Sequence, residues 1–495
     1  MYTTTKETHA AVVFLLGEHA YKLKKPVDLG FLDFSTLRAR RWACEQEVEL
    51  NRRLCDDVYE GVADVVGPGG EVCEHLVVMR RMPEERRLAT LVKAGKPVDE
   101  HLRAVARRLA ALHAGARHGP QIDREGGLDA LRARWNASFE QVRGLPGRTV
   151  DPAVLDETER LATRFLDGRR ALFDARVAGR RVVDGHGDLL AEDVFCLDDG
   201  PRILDCLEFD ERLRFLDGLD DAAFLAMDLE RLGAPRQAER FLRWYVEFSG
   251  DPAPPALWHH YVAYRAFVRA KVACLRQWQG ETDAGWEARR LSELALRHLR
   301  AGAVTLVLVG GSPGSGKSTL AGGLADRLGH TLLRSDRVRK ELAGLDPTRA
   351  ASAPYRQGIY DPAHTARTYA ELLVRAERLL GQGEPVIIDA SWGDQRHRAV
   401  AAEVAARTSS DLVALRCTVM PQVAAERLVT REPELSDADE EIRRKMAADA
   451  PDWPDAVEID TGVEPAQALE RALAAVRPDG RERSWRFQRS RIEAG

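Results

Sequence analysis

The amino-acid sequence predicts two unlike units in tandem: a mixed α+β unit over about residues 1–300, then an α/β unit with a doubly wound parallel sheet over 301–478. Three observations carry that prediction. A chain of 495 residues exceeds what one hydrophobic core organises, so two or three domains are expected. In the first part, short strand-like runs give way to amphipathic helices. At Val304 the hydrophobic period then switches abruptly to the continuous apolar run VTLVLVG, which suits a strand buried on both faces.

Taken in order, residues 11–16 and 20–24 read as two strands joined at Gly17 and Glu18, and residues 36–54 as a helix. A further strand fits 74–79. The spacing of Leu102, Val105, Ala106, Leu109 and Leu112 is helical, and amphipathic helices dominate again over 219–278. After a helix ending near Leu299, strand-like runs at 331–333, 385–388 and 412–415 alternate with helical ones, the rhythm of a doubly wound sheet. No internal repeat is present, so the two halves are different machines, with residues 479–495 a basic tail.

Bulk properties exclude more than they name. Apolar residues at 44% and charged residues at 31% mark an ordinary globular chain rather than a disordered or membrane one. A net charge of -5 spread along the length argues against a surface built for polyanions, while small anionic ligands stay compatible. The opening MYTTTKETHA shows no leader pattern and no later run is long enough to span a bilayer, so a cytoplasmic location is expected. The seven cysteines never form a C-x-x-C pair, which predicts buried free thiols rather than a zinc site.

Directly after VTLVLVG comes Gly311, Ser312, Pro313, Gly314, Ser315, Gly316, Lys317, Ser318 and Thr319, then the helix-like LAGGLADRL. This is the Walker A pattern G-x-x-x-x-G-K-[ST] in its required strand, loop, helix setting. The glycines let backbone N–H groups turn inward around phosphate oxygens, and the helix start adds its positive end. Lys317 then reaches the β- and γ-phosphates of ATP, and Ser318 ligates Mg2+. Asp336 follows the second strand, with Arg337, Arg339 and Lys340 on the next turn, a set able to take an acceptor's proton and hold its anionic groups. A helix N-cap is the plainer use of Asp336. Asp389 ends the strand PVIID, where a carboxylate backs the metal, and Arg396 follows on the acceptor side. Arg427 and Arg431, four apart on a helix, either close over ATP or form a solvated basic face.

The segments GGSPGSGKSTLA, RSDRVRKELAG, VIIDASW and RLVTREPELSDA resemble the P-loop kinases that include gluconate kinases, polynucleotide 5'-kinases and zeta-toxin-like kinases. The resemblance covers about 301–478. It implies a nucleoside-monophosphate-kinase-like fold with a lid and Asp336 as the acceptor-side carboxylate.

In the first half, HGDLLAEDVFC followed by RILDCLEFD resembles the catalytic loop and metal-binding strand of aminoglycoside phosphotransferase-like and choline-kinase-like enzymes. That resemblance implies a two-lobed protein-kinase-like unit, with lobes at about 1–88 and 89–300. Asp188 then accepts a hydroxyl proton, Asp205 ligates magnesium, and His186 has a structural role in the loop. The family offsets select Lys22 and Glu47 as the phosphate-positioning pair, although strand alternation alone does not separate Lys22 from Lys24. The adenine hinge falls near Met79 and Met82. Asp193 stands where the family has Asn as second metal ligand, which adds a negative charge among phosphates. Little chain precedes Ala11, so the first strand and glycine-rich loop are expected short or absent. The plainer reading competes here, since H-G-D is short, acidic loops are common, and solvated acids are the simple use of Glu208, Asp210, Asp217, Asp220 and Asp221.

Taken whole, with ETHAAVVFLLGEHAYKLKKPVDLGFLDFST and YRAFVRAKVACLR added, the chain resembles bacterial two-domain proteins described as bifunctional aminoglycoside phosphotransferase-like and ATP-binding proteins. The expectation is an ATP- and Mg2+-dependent phosphotransferase acting on hydroxyls of small molecules such as sugars or aminoglycosides. Its rivals are an ATP-binding regulatory protein with a degenerate first half, and a polynucleotide-end or nucleotide-sugar kinase. The tail RERSWRFQRSRIEAG offers arginines interleaved with Trp485 and Phe487, a pattern that can bind nucleic acid, though a docking tail is the plainer reading.

Overall fold

In a computed structural model of the chain, residues 4–7, 10–28, 32–346, 356–429 and 452–477 are described. The basic tail 479–495 and Arg431 lie outside them. Two compact units emerge, one of Met1–Glu159, Phe173–Ala253 and Trp258–Leu299, the other of Arg160–Leu172, Pro254–Leu257 and Arg300–Gly495.

The first unit opens with an antiparallel sheet of β1 (Thr4–Glu7), β2 (Ala11–Leu16), β3 (His19–Lys24), β4 (Tyr59–Val66) and β5 (Val72–Arg80), in the order β1-β2-β3-β5-β4. The expected first strand is therefore present, as a four-residue piece paired to β2. Helix α1 (Leu37–Arg52) follows β3, and Thr36 caps it by accepting from the Ala39 amide at 3.1 Å. Its apolar stripe, Cys44 and Val48, packs on Ala20, Val77, Tyr59 and Met79 of the sheet. One helix fixed against a sheet in this way holds Glu47 of α1 opposite Lys22 of β3.

A helical part follows, of which α2 (Asp99–Ala114), α3 (Gly218–Arg231), α4 (Pro235–Ser249), α5 (Pro255–Trp278) and α6 (Ala284–Ala301) matter here. Between α2 and α3 lie two small antiparallel pairs, β6 (Val182–Asp184) with β9 (Phe215–Asp217), and β7 (Val194–Leu197) with β8 (Gly200–Ile203). The acids read as solvated are mostly not. Glu208, Asp217, Asp220 and Asp221 are buried, because each meets a cation or ring: Lys24, Arg176, Arg265 and His113 respectively. Antiparallel sheet with one helix, then helices around paired short hairpins, is the protein-kinase-like plan.

The second unit is a five-stranded sheet of β10 (Thr305–Gly310), β11 (Thr331–Arg334), β12 (Val386–Asp389), β13 (Asp411–Thr418) and β14 (Val457–Asp460), in the order β11-β12-β10-β13-β14 with every pair parallel. The central β10 is buried throughout, as its unbroken apolar run requires. Val307, Val309, Ile387, Leu415 and Ile459 share a core with Leu320, Leu324 and Leu328 of α7 (Lys317–Leu328) and Ala468 and Ala472 of α12 (Pro465–Val476). The order places the end of β10 where the sheet's winding reverses, the crevice in which such sheets bind ligands. This is the P-loop NTPase plan; β14 went unseen in the sequence because VEID is short and half polar. Among the described residues no helix is long and apolar enough to cross a membrane.

Burial leaves a titratable signature in the first unit. His260 of α5 is buried, its Nε2 receives the Trp135 indole N–H at 3.3 Å, and burial holds its imidazole down at about 3. The unfolded chain therefore binds the extra proton below about 6.5, and stability falls as pH drops from there toward 3, at up to about 1.4 kcal/mol per pH unit. Urea titrations at pH 6.5 and 5 should show a smaller loss of stability in His260→Gln than in the parent. An equal loss in both would mean that the ring is not held neutral.

Candidate functional site

The turn after β10 is built for phosphate. Gly314 and Gly316 sit at φ 77° and 78°, and α7 begins at Lys317, so its first-turn amides have no helical partner and face the loop. At Gly314 a Cβ would come within 2.6 Å of the Ala424 carbonyl oxygen, so only glycine lets the loop pass under α11 (Pro421–Val429). Thr461 lies beneath, its Oγ1 2.6 Å from the Ser315 carbonyl oxygen. Pro313 is buried, while Gly311, Ser312 and Ser318 are half-buried and Thr319 is exposed.

Several groups in this turn wait for a ligand. Among the described residues nothing pairs with the half-buried Lys317 ammonium. Ser315 Oγ and Asp389 Oδ1 are buried without a hydrogen-bond partner. Asp389 ends β12 in register with Val309 of β10, which brings its carboxylate beside the loop. Arg427 donates from Nη2 to the Thr461 carbonyl at 2.8 Å, and its Nη1 lies 3.3 Å from where a Gly316 Cβ would be. Orphaned donors, one hydroxyl and one carboxylate around an open cradle fit a nucleotide triphosphate with its metal.

On the acceptor side, α8 (Ser335–Leu342) is capped by Arg334, which makes no side-chain cap bond, so Asp336 stands inside the first turn. The N-cap alternative is corrected: Asp336 Oδ1 accepts from Tyr360 at 3.0 Å and Oδ2 lies 3.5 Å from Lys340 Nζ. Arg339 is buried, stacked 4.8 Å over Tyr360, and donates to the Ile359 carbonyl and Thr365 Oγ1, which pins the start of α9 (Pro362–Gly381). Arg396, at the start of α10 (Gln395–Arg407), is largely exposed and paired with Asp394. The structure does not bring it onto Asp336.

Sequence reasoning missed Tyr369 and Ser391. The Tyr369 hydroxyl lies 3.0 Å from Ser391 Oγ and accepts from the Trp392 amide, while the Ser391 carbonyl accepts from the Gly311 amide at 3.3 Å. Trp392, at φ 53°, is thereby held in a left-handed conformation that a bulky residue rarely adopts. No local pattern marks a tyrosine that acts 22 residues away.

In the first unit the predicted residues converge around Lys22. Its Nζ lies 2.9 Å from Glu47 Oε1 and 2.6 Å from Asp205 Oδ1. Lys24 reaches Glu47 Oε2 at 2.5 Å and also pairs with Glu208. Both lysines therefore pair with Glu47, and Lys22 differs in pairing also with Asp205. Burial pushes its ammonium down, but Asp205, Glu47 and Glu208 raise it well above the usual lysine range. Asp205 is half exposed and sits at φ 64°, with its amide held by Tyr59 Oη at 3.2 Å and the next amide by Asn51 Oδ1 at 2.9 Å. Removal from water raises its carboxyl, and Lys22 more than offsets this, leaving it at about 2.

The loop carrying Asp188 is held from below by Asp221, which accepts from the His186 amide at 2.7 Å and the Gly187 amide at 3.0 Å, with His113 Nε2 3.0 Å away. Gly185 permits this approach, since a Cβ there would fall 2.5 Å from Asp221 Oδ2. His186 Nε2 lies 2.9 Å from the Leu204 carbonyl, the structural role expected of it. Burial raises the Asp188 carboxyl. Burial, then Asp205, Asp188 and Asp228, raise Asp193 well above the ordinary range. Among the described residues no three carboxylates, histidines or cysteines form a ready metal cage. Met79 lies in the sheet core, and the Met82 backbone beyond β5 has no hydrogen-bond partner among the described residues.

A family described as AAA domain matches residues 306–451. The uncharacterized protein Rv2004c of Mycobacterium tuberculosis is 43% identical over 460 residues, 93% of this chain and 92% of its own, and protein Mb2027c of Mycobacterium bovis matches equally. Among solved structures, a choline/ethanolamine kinase family protein of Mesorhizobium loti is 14% identical over 61% of this chain and 92% of its own, with a TM-score of 0.39. A gluconokinase of Sinorhizobium meliloti is 20% identical over 36% and 96%, with a TM-score of 0.26.

The cradle itself can be tested. Gly314→Ala adds a methyl group against the Ala424 carbonyl at a positive φ, a strain of about 1–3 kcal/mol. Titration with a fluorescent ATP analogue should show binding weakened by roughly 10- to 100-fold. Unchanged affinity would place nucleotide binding elsewhere.

Proposed function

We propose that this chain, which belongs to the family of the Mycobacterium tuberculosis protein Rv2004c, is an ATP- and Mg2+-dependent phosphotransferase with two sites, each acting on a hydroxyl of a small molecule. The observation that carries this reading is the loop of Gly311 to Thr319, whose lysine, buried Ser315 hydroxyl and neighbouring buried Asp389 Oδ1 have no partner among the described residues. A buried polar group left unpaired calls for an explanation, and several of them gathered around one glycine-rich loop are accounted for together by a bound phosphate and its metal.

In the second unit, the amides of the loop and of the first turn of α7 would hold the phosphates, Lys317 would neutralise their charge, and Ser318 and Asp389 would hold the metal. Asp336 takes the acceptor's proton, and Arg427 neutralises charge that builds on the transferring group. Bound ATP with Mg2+ supplies the γ-phosphoryl group and neutralises its oxygens. In the first unit, Lys22, set by Glu47, would hold the phosphates, Asp205 and Asp193 would hold the magnesium, and Asp188 would take the acceptor's proton. Two carboxylates suffice there, since magnesium ordinarily draws its remaining ligands from phosphate and water.

A regulatory reading has one observation in its favour. Asp193 lies in the field of four other carboxylates, Asp205, Asp188, Asp228 and Glu192, where the resembling enzymes carry a neutral side chain, so carboxyl groups crowd the place where phosphates would enter. ADP release measured with a panel of sugars, sugar acids, nucleosides and oligonucleotide ends separates the two. We expect Lys317→Ala to lower turnover of one acceptor class by more than 100-fold, and Asp188→Asn to do the same to another. No acceptor-stimulated turnover at either site would leave the regulatory reading standing.

A further inference from the structure

The segment YRAFVRAKVACLR, part of α5, contributes to the first site in a way the residues named so far do not explain. Tyr261, Arg265 and Arg269 recur at four-residue steps on α5, so they share one face, each about 6 Å further along the axis. The first two are committed to acids at the base of α3. Tyr261 donates to Asp217 Oδ2 at 3.2 Å, and Arg265 grips Asp220 through Nε and Nη2, each at 2.7 Å. Asp221, the next residue of α3, holds the His186 and Gly187 amides and Asp228, two turns on, holds the Ala191 amide, so the loop carrying Asp188 runs along α3 in the direction this face of α5 climbs. Arg269 is its third rung. It is half-buried, and among the described residues no acid, carbonyl or ring pairs with it.

The field at Asp188 agrees with that placement. Burial raises the Asp188 carboxyl, and among the charges that pull it back Arg269 comes first, ahead of His186 and Arg265. Those two are already engaged, His186 near the Leu204 carbonyl and Arg265 with Asp220. Arg269 alone of the three has its guanidinium donors uncommitted among the described residues.

We propose that Arg269 is an acceptor-binding residue of the first site, and that the acceptor there is a small hydroxylated anion, bearing a phosphate or carboxylate near the reacting hydroxyl. A planar guanidinium matches both groups through paired N–H donors. A polycationic amino sugar would instead meet like charge beside the reacting oxygen, which costs affinity. The inference rests on the phosphotransfer reading of the first unit and names its substrate class.

The test uses the full chain carrying Lys317→Ala, so that only the first site turns over. ADP release is followed with glycerol 3-phosphate and glucose 6-phosphate as phosphate probes, gluconate as carboxylate probe, glucose as neutral control and kanamycin as cationic control. We expect turnover with at least one anionic probe and none with kanamycin, the better anion identifying which group is recognised. Adding Arg269→Gln should raise KM for that probe by at least 10-fold while KM for ATP moves less than twofold, and Arg269→Lys should recover part of the loss. Preference for glucose or kanamycin overturns the proposal and keeps phosphotransfer. An equal rise in KM for ATP also overturns it, by assigning Arg269 to the nucleotide. Absence of ADP release with every probe removes the phosphotransfer reading of this unit, and the proposal with it.

Discussion

A charge taken out of water must either meet an opposite charge within the fold or be held open for a ligand that brings one. Both units of this protein are organised by that constraint, and they meet it in opposite ways. In the first unit Lys22, Lys24, Glu47, Glu208 and Asp205 form a closed chain of ion pairs linking β3, α1 and the loop after β8. In the second, Lys317 stands at a helix start with no partner among the described residues, and the carboxylate nearest in register, Asp389, keeps one buried oxygen unpaired.

The difference has a mechanical consequence. Under the proposed reading, a metal and phosphates entering the first site would displace the ion pair of Lys22 and Asp205, so entry would compete with an internal contact. At Lys317 no described residue would have to be displaced, and the cradle would be preorganised. Beneath both lies rigid support. Asp221 fixes two amides of the Asp188 loop, and Thr461, Ser391 and Tyr369 brace the turn around Gly311 and Ser315. Two of the non-glycine residues at positive φ, Asp205 and Trp392, lie at these places, where surrounding hydrogen bonds hold the conformation.

Much of this was legible beforehand. Each strand and helix that the periodicity marked in the first 114 residues is present, because an amphipathic pattern is itself the burial pattern of a half-covered element. Lys22 against Glu47 followed from a family offset, but strand alternation alone left Lys24 equal to it, since both point to one face. What separated them was Asp205, about 180 residues away, whose position depends on a hairpin that neither lysine's neighbours encode. The acids around Asp217 to Asp221 were misread as solvated because their cationic partners, Arg176, Arg265 and His113, come from other helices.

The sequence alone determined what is local: the phosphate loop between strand and helix, the HGD loop, the change of machine near Val304, and the helical spacing that sets Arg265 one turn before Arg269. These are fixed by short-range geometry, in which a glycine's freedom or a four-residue step has one meaning. Tertiary structure decided which charges are satisfied and which remain open, that Asp336 is held by Tyr360 rather than capping its helix, and that Arg396 stays with Asp394. Pairing of charges is a property of elements brought together from distant parts of the chain, and no window of sequence contains both partners.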